Sequence, residues 1–355
     1  MIAAGGTGGH FYPGLVAAQE LKKRGWEPLM IVRTGDPALA TLEREGLAAL
    51  PVDLRGLPRR AGPELLTFAG KLLGSLGVLS RAVRAFQPDL ALGMGGYLTF
   101  PLVFAAWRRG VPRAVHESNA LLGLANAASL RLGASLFWGL PPADPAAGGI
   151  LAGTPVRPDL WTRGDPRAAR LKLGLAPERT TLLVFGGSQG AQAVNEALPT
   201  ALKALPGVQT LHLAGKGKAL AAREAYARAG VSADVREYLD DMAAAYAAAD
   251  LVVCRSGAST LAELAAQQLP AVLVPYPHAA ADHQRVNARV FESVGAAVSL
   301  EEARLLGELG GVLQDLLKSS GADVKRREMA QAYARLGLPA ASASTETFVS
   351  ALERI

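Results

Sequence analysis

Short apolar runs recur along the chain and alternate with longer stretches of helical spacing. The runs are Leu29 to Val32, Leu90 to Met94, Ala114 to Val115, Thr181 to Phe185, Leu251 to Cys254 and Ala271 to Val274. Runs of this kind, bounded by turn residues and each followed by a helix-length segment, predict buried parallel strands joined by crossover helices. Leu90 to Trp107 is uncharged and nearly long enough to cross a bilayer, but Gly93, Gly95, Gly96 and Pro101 break it into strand, loop and helix. The fold class is therefore α/β, and no transmembrane helix is expected.

The pattern occurs twice. Glycine-rich turns at Gly5-Gly6-Thr7-Gly8-Gly9-His10 and Gly186-Gly187-Ser188-Gln189-Gly190-Ala191 each follow a β-like run and open a helix, 181 positions apart. Two similar Rossmann-like halves are implied, and 355 residues suffice for two domains that each bury a core. The stretch 148–158 is rich in glycine and proline, as a hinge would be, which sets the domains at 1–157 and 158–340. After Pro339 small polar residues lead into a helical stretch, and 341–355 is expected to pack back on the first domain.

Composition narrows the class further. Half the residues are hydrophobic but only 6% are aromatic, which suits alanine- and leucine-rich helices on a sheet better than an aromatic-girdled barrel. The single cysteine, Cys254, excludes an intramolecular disulfide framework and a multi-cysteine zinc site, and fits a reducing cytoplasm. The first residues have neither the basic start nor the apolar stretch of a secretory signal. Net charge is +6, and all of the surplus lies in residues 1–157, with 16 Lys and Arg against 10 Asp and Glu. That field favours an anionic partner: a phosphate-bearing ligand, a nucleic acid or an acidic membrane surface.

A strand that ends in glycines and feeds a helix aims backbone N–H groups and the positive end of the helix dipole at one point, which suits a diphosphate. Gly186 to Ala191 has this form, with the Ser188 hydroxyl as a further donor, although such a turn can also be only structural. Arg255 to Glu263 repeats it, and Glu263 reads either as a carboxylate for ribose hydroxyls or as a helix-terminus charge. Neither glycine-rich turn spells G-x-G-x-x-G with an acidic residue about 20 positions on, which disfavours a nicotinamide dehydrogenase. Gly215-Lys216-Gly217-Lys218 lacks the spacing and hydroxyl of an ATPase P-loop.

The two glycine-rich turns, Gly93 to Tyr97, His116 to Asn119, Asp240 to Met242, Arg255 to Glu263 and His283 to Asn287 together resemble, in order, the peptidoglycan glycosyltransferase family MurG. The motifs run from residue 5 to residue 287, so the resemblance covers both halves. It implies a GT-B fold, two Rossmann-like domains with parallel sheets facing an interdomain cleft. It also implies transfer of N-acetylglucosamine from UDP-N-acetylglucosamine to the C4 hydroxyl of lipid-linked N-acetylmuramyl-pentapeptide (lipid I), giving β(1→4)-linked lipid II.

By that resemblance the second domain holds the donor. Ser188 and its loop meet the diphosphate, and the Leu239 backbone lies near uracil. Ala258, Ser259, Thr260, Leu261, Ala262 and Glu263 surround phosphate and ribose, and Gln284 reads the sugar hydroxyls. Arg157 matches a nucleotide-contacting arginine. From the first domain, Thr7, Gly8, Gly9 and Asn119 close over the sugar, with Gly95, Gly96 and Tyr97 on the acceptor side. The chain departs from the family pattern at Ser118 and Thr154, where glutamine and asparagine are common. Inversion at the anomeric carbon needs one displacement and one base; the family's candidate is His10, with Glu117 as the second. No Asp-x-Asp occurs, so neither a metal nor another cofactor is expected.

A lipid-linked acceptor implies an enzyme on the cytoplasmic face of the bacterial plasma membrane, bound peripherally. Between Arg55 and Arg84 six cations (Arg55, Arg59, Arg60, Lys71, Arg81, Arg84) face only Glu64, interleaved with Leu65, Leu66, Phe68, Leu72, Leu73, Leu76 and Leu79. The spacing predicts an amphipathic helix, either packed into the core or lying on an anionic surface. A UDP-sugar 2-epimerase or a non-catalytic UDP-sugar-binding module remains an alternative. Nucleic-acid binding lacks a recognisable motif.

Overall fold

The computed structural model describes residues 1–5, 8–56, 62–187 and 189–355. Thr7, Arg59, Arg60 and Ser188 lie outside the described residues. The chain divides into two compact units, Met1–Pro158 with Leu338–Ile355, and Asp159–Gly337.

In the first unit the strands are β1 (Ile2–Ala3), β2 (Leu29–Arg33), β3 (Ala48–Val52), β4 (Ala91–Gly93), β5 (Arg113–Glu117), β6 (Ser135–Trp138) and β7 (Ile150–Leu151). They form one sheet in the order β3-β2-β1-β4-β5-β6-β7, with every pairing parallel. The crossover helices are α1 (Gly8–Lys23), α2 (Ala38–Arg44), α3 (Pro63–Phe86), α4 (Thr99–Trp107) and α5 (Leu124–Leu130).

The second unit holds α6 (Pro166–Leu173), β8 (Thr181–Phe185), α7 (Gln192–Ala201), β9 (Gln209–Leu213), α8 (Ala219–Ala229), β10 (Asp234–Arg236), α9 (Met242–Ala248), β11 (Leu251–Cys254), α10 (Ala258–Gln267), β12 (Ala271–Leu273), α11 (His283–Ser293), β13 (Ala297–Ser299), α12 (Leu305–Leu317) and α13 (Ala322–Ala332). Its parallel sheet runs β10-β9-β8-β11-β12-β13, the strand order of a dinucleotide-binding fold. In such sheets ligands bind beyond the carboxyl ends of the strands where the order reverses. Here that point lies between β1 and β4 in one unit and between β8 and β11 in the other, and both glycine-rich turns leave strands at those points.

The last helix, α14 (Ala341–Leu352), packs within the first unit. Phe348 is fully buried, its ring edge-on to Phe137 at 5.3 Å and to His116 at 5.2 Å. Arg24, just after α1, bonds Ser350 and Glu353, and the Trp26 indole N–H donates to Glu353.

Helix α3 is the one described helix long and apolar enough, by length and composition, to cross a membrane. Ser75, Leu79 and Val83 are nevertheless buried in the first unit, with Phe68 and Leu72 partly buried against the same core. Leu66 and Leu73 stand on the opposite side, 80% and 70% exposed. At about 100° per residue, Arg84 lies within about 20° of the line through them and Arg81 about 70° away. The leucines thus divide: Leu79 is buried and Leu72 packs partly against the core, whereas Leu66 and Leu73 share an outer face with Arg84.

Candidate functional site

Three motifs of the first unit converge. His10 stands in the first turn of α1, half-buried, and its ring lies against the backbone of Gly95 and Gly96 after β4. A Cβ on Gly95 would come within 2.9 Å of His10 Cδ2, and one on Gly96 within 3.3 Å of Nδ1. Both glycines have positive φ, +95° and +75°, so this turn needs glycine for its conformation and for its closeness to the imidazole. Thr99 fixes the turn: its hydroxyl donates to the Gly95 carbonyl at 2.9 Å and accepts from the Gly95 N–H at 3.1 Å. Tyr97 is half-buried beside it, and burial raises its phenol pKa.

The third motif ends β5. Glu117 is buried, and both its oxygens are engaged: Oε1 accepts from the backbone and side-chain N–H groups of Asn119, Oε2 from the Gly123 N–H and from Asn126. That arrangement makes Glu117 the peg on which the loop 119–126 is folded. A carboxylate whose two oxygens already accept four hydrogen bonds is poorly placed to receive a substrate proton. His116 is fully buried, with Nε2 at the Gly153 carbonyl (3.1 Å) and Nδ1 at the Ser118 hydroxyl (3.3 Å). Ser118, one of the departures from the family pattern, thus supplies a partner to a core histidine. Arg157 follows β7 and is half-buried.

In the second unit the corresponding turns are equally constrained. Gly187 and Gly190 have φ of +81° and +67°, and the Gly190 N–H closes the turn on the Gly187 carbonyl. Among the described residues no side chain caps α7 or α10, and their first-turn N–H groups point beyond β8 and β11. In α10 the side chains of Ser259 and Thr260 are half-buried, whereas Leu261 is wholly buried and Ala258 and Ala262 nearly so. Those three can meet a ligand essentially through their backbone.

Glu263 is held by the hydroxyl of buried Tyr246, which donates to Oε2 at 2.7 Å. Gln284 Oε1 accepts from the Tyr276 N–H at 3.0 Å, which directs the amide nitrogen the other way. The Ser256 hydroxyl donates to the Gln284 carbonyl and Asn287 to the Ser256 carbonyl, so the start of α11 is tied to the turn before α10. Leu239 lies half-buried between β10 and α9, and Asp241 accepts from the Ala244 N–H as the N-cap of α9.

Thr99, Asn126, Tyr246 and Tyr276 are the supporting residues that sequence reasoning missed. Each acts on a motif through tertiary contact, and none stands in a recognisable spacing of its own. Among the described residues no group of three or more His, Cys, Asp or Glu side chains could hold a metal ion.

The comparisons with known proteins follow the same division. The glycosyltransferase family 28 N-terminal domain matches residues 1–136, and the family 28 C-terminal domain matches 181–344. The UDP-N-acetylglucosamine–N-acetylmuramyl-(pentapeptide) pyrophosphoryl-undecaprenol N-acetylglucosamine transferase of Elusimicrobium minutum is 36% identical, covering 100% of this chain and 99% of its own. The enzyme of that name from Aeromonas hydrophila is 40% identical over 86% of this chain and 84% of its own. The chain belongs to the MurG family.

The crystal structure of Acinetobacter baumannii MurG superposes with a TM-score of 0.81 at 29% identity, covering 100% of this chain and 99% of that one. The glycosyltransferase of kitacinnamycin, at 16% identity and a TM-score of 0.71, shares the fold. The fold is GT-B, and this MurG-family chain is a glycosyltransferase.

The two core histidines of this MurG-family chain make stability pH-dependent. Burial lowers His116 from 6.5 to about 4, helped by nearby His10 and opposed by the Gly153 carbonyl, and burial does the same to His212 of β9. Between pH 6.5 and 4 the unfolded chain therefore binds more protons than the folded one, so stability falls as pH falls. At about 1.4 kcal/mol per unit, each contributes on the order of 3 kcal/mol over that window. Urea midpoints should drop between pH 7 and pH 5; equal midpoints would contradict neutral core histidines.

Proposed function

We propose that the chain moves N-acetylglucosamine from UDP-N-acetylglucosamine to the C4 hydroxyl of lipid I, forming lipid II in peptidoglycan synthesis. The observation that carries this is the His10 imidazole seated on the Gly95–Gly96 turn at the sheet's switch point, in a chain whose full-length relatives bear that activity as their name.

In the reaction His10 takes the proton of the C4 hydroxyl, the oxygen attacks the anomeric carbon from the face opposite the diphosphate, and the bond to UDP breaks. One displacement turns the α-linked donor into a β-linked product. Glu117 serves as a positioning residue for Asn119 rather than as the base. On the donor side the turn 186–191, the N-terminus of α10 and Arg157 stabilise the departing diphosphate. Glu263, oriented by Tyr246, takes the ribose hydroxyls, Leu239 lies by uracil, and the Gln284 amide NH2 donates to the sugar. Incubation with radiolabelled UDP-N-acetylglucosamine and a lipid I analogue tests donor, acceptor and reaction together. Label in lipid II is expected; an epimerised sugar nucleotide, or saturable binding without turnover, would overturn the assignment.

The acceptor is membrane-bound, and the enzyme meets it as a peripheral protein on the cytoplasmic face of the plasma membrane. Helix α3 supplies the surface: Leu66 and Leu73 enter the headgroup layer while Arg81 and Arg84 meet anionic lipid, at about 1 kcal/mol per cation. Charged Lys71, Arg81 and Arg84, with the inner face built into the first unit, favour a helix lying along the membrane over one crossing it. Sedimentation with anionic vesicles should show salt-sensitive binding that Arg81→Glu with Arg84→Glu weakens, turnover of a soluble acceptor being retained. No vesicle binding at low salt, or none lost in the double variant, would refute this role.

A further inference from the structure

A chain of buried polar side chains lies behind the turn 186–191. Tyr226 of α8, His212 of β9 and Asn195 of α7 are 3%, 0% and 5% exposed. The Tyr226 hydroxyl lies 3.0 Å from His212 Nδ1, His212 Nε2 lies 3.1 Å from Asn195 Oδ1, and Asn195 Nδ2 donates to the Ala214 carbonyl at 3.0 Å. Each proton in the chain can be assigned. Asn195 gives its NH2 to Ala214, so its oxygen faces His212 and can only accept; Nε2 must carry the proton. Burial holds His212 neutral down to about pH 4, which leaves Nδ1 as an acceptor and makes the tyrosine hydroxyl its donor. Donation thus runs one way, from Tyr226 through His212 and Asn195 to Ala214.

The Ala214 carbonyl is where this relay meets the turn. A Cβ on Gly190 would overlap that oxygen, and one on Gly215 would lie 2.5 Å from Gly190 N, so Gly190 meets Ala214 and Gly215 backbone to backbone. The backbone N–H of Asn195 donates to the Ala191 carbonyl at the end of the same turn. The direction of the Ala214 carbonyl therefore fixes where Gly190 can stand. A hydrophobic replacement of any member leaves a buried polar partner unsatisfied and loosens the hold of Asn195 on that carbonyl.

We propose that Tyr226, His212 and Asn195 are positioning residues that hold the turn 186–191 in the shape that receives the donor's diphosphate, without touching the donor. This rests on the reading of that turn as the diphosphate site. Its signature is selectivity for the phosphate part of the ligand, which a general loss of stability would not produce.

The test uses the full chain and two probes, UDP and uridine, titrated by calorimetry or ligand-observed NMR. Tyr226→Phe and His212→Leu are expected to weaken UDP about tenfold and to raise KM for UDP-N-acetylglucosamine more than they change kcat. Uridine affinity should stay within about twofold. His212→Gln, whose amide can still donate to Asn195 Oδ1, should stay within about threefold of the parent for UDP. Variants that keep the parent's near-ultraviolet circular dichroism yet bind UDP as the parent does, or lose uridine equally, would overturn the proposal. Tyr226→Phe removes a single oxygen and carries the test if His212→Leu does not fold. Glu263→Ala is the control: if it leaves both UDP and uridine affinities unchanged, the donor-site reading itself is overturned, and this proposal with it.

Discussion

Replacing His10 by alanine should lower kcat by about 10² to 10⁴, the span expected for loss of a general base, with UDP affinity nearly intact. The separation follows from where the residue sits. His10 belongs to the first unit and packs on Gly95 and Gly96, whereas the residues assigned to uridine and diphosphate, Arg157 apart, belong to the second. A pre-steady-state measurement of turnover alongside UDP calorimetry gives both numbers. Activity equal to the parent's would move the proton to another group, and Glu117→Gln would then be compared. That variant is expected to differ in kind: an amide can replace only some of the accepting positions that Glu117 offers to Asn119, Gly123 and Asn126, so its loss should come with a disordered loop and a lower melting temperature.

The comparison of sequence with structure follows burial. Strands buried on both faces were legible as apolar runs: Thr181 to Phe185 and Leu251 to Cys254 match β8 and β11 residue for residue. Strand β9 was not, because Gln209, Thr210 and His212 are polar, although all three are buried. Their polarity is compensated by partners brought from elsewhere: Gln209 bonds the backbone of Ala176 and Arg179, and His212 bonds Asn195 and Tyr226. The short outer strands β7 and β10 carried too little pattern to stand out.

The same distinction runs through the site. Glycine turns and the residues beside them could be found because their spacing encodes a backbone shape. The partners that hold them, Thr99 for Gly95 or Tyr246 for Glu263, could not, because a hydrogen bond across the fold leaves no spacing to read. In α3, periodicity identified the amphipathic helix, but Leu66 and Leu73 acquire their meaning only from the packing that buries Leu79 and Val83 behind them.

Two glycines in one turn allow crowding to be separated from backbone strain. Gly187 and Gly190 both have positive φ, so alanine at either position carries the left-handed penalty of about 1 to 2 kcal/mol. Among the described residues Gly187 has nothing beyond its chain neighbours within 4 Å of its missing Cβ, whereas at Gly190 that atom would overlap the Ala214 carbonyl oxygen and come within 3.1 Å of Gly215 Cα. Neither obstacle is a flexible side chain; both are backbone, and Ala214 is further held by its N–H bond to the Arg236 carbonyl on β10 and by Asn195. The turn must therefore move off β9, carrying the N-terminus of α7 with it. Gly190→Ala should weaken UDP by about 100-fold, since several charge-assisted hydrogen bonds to the diphosphate lose their geometry together. Gly187→Ala should lower the melting temperature by a few degrees and cost UDP less than tenfold. Calorimetry with UDP on the two variants decides the matter: equal losses would mean that strain, not the contact with Ala214, governs the turn.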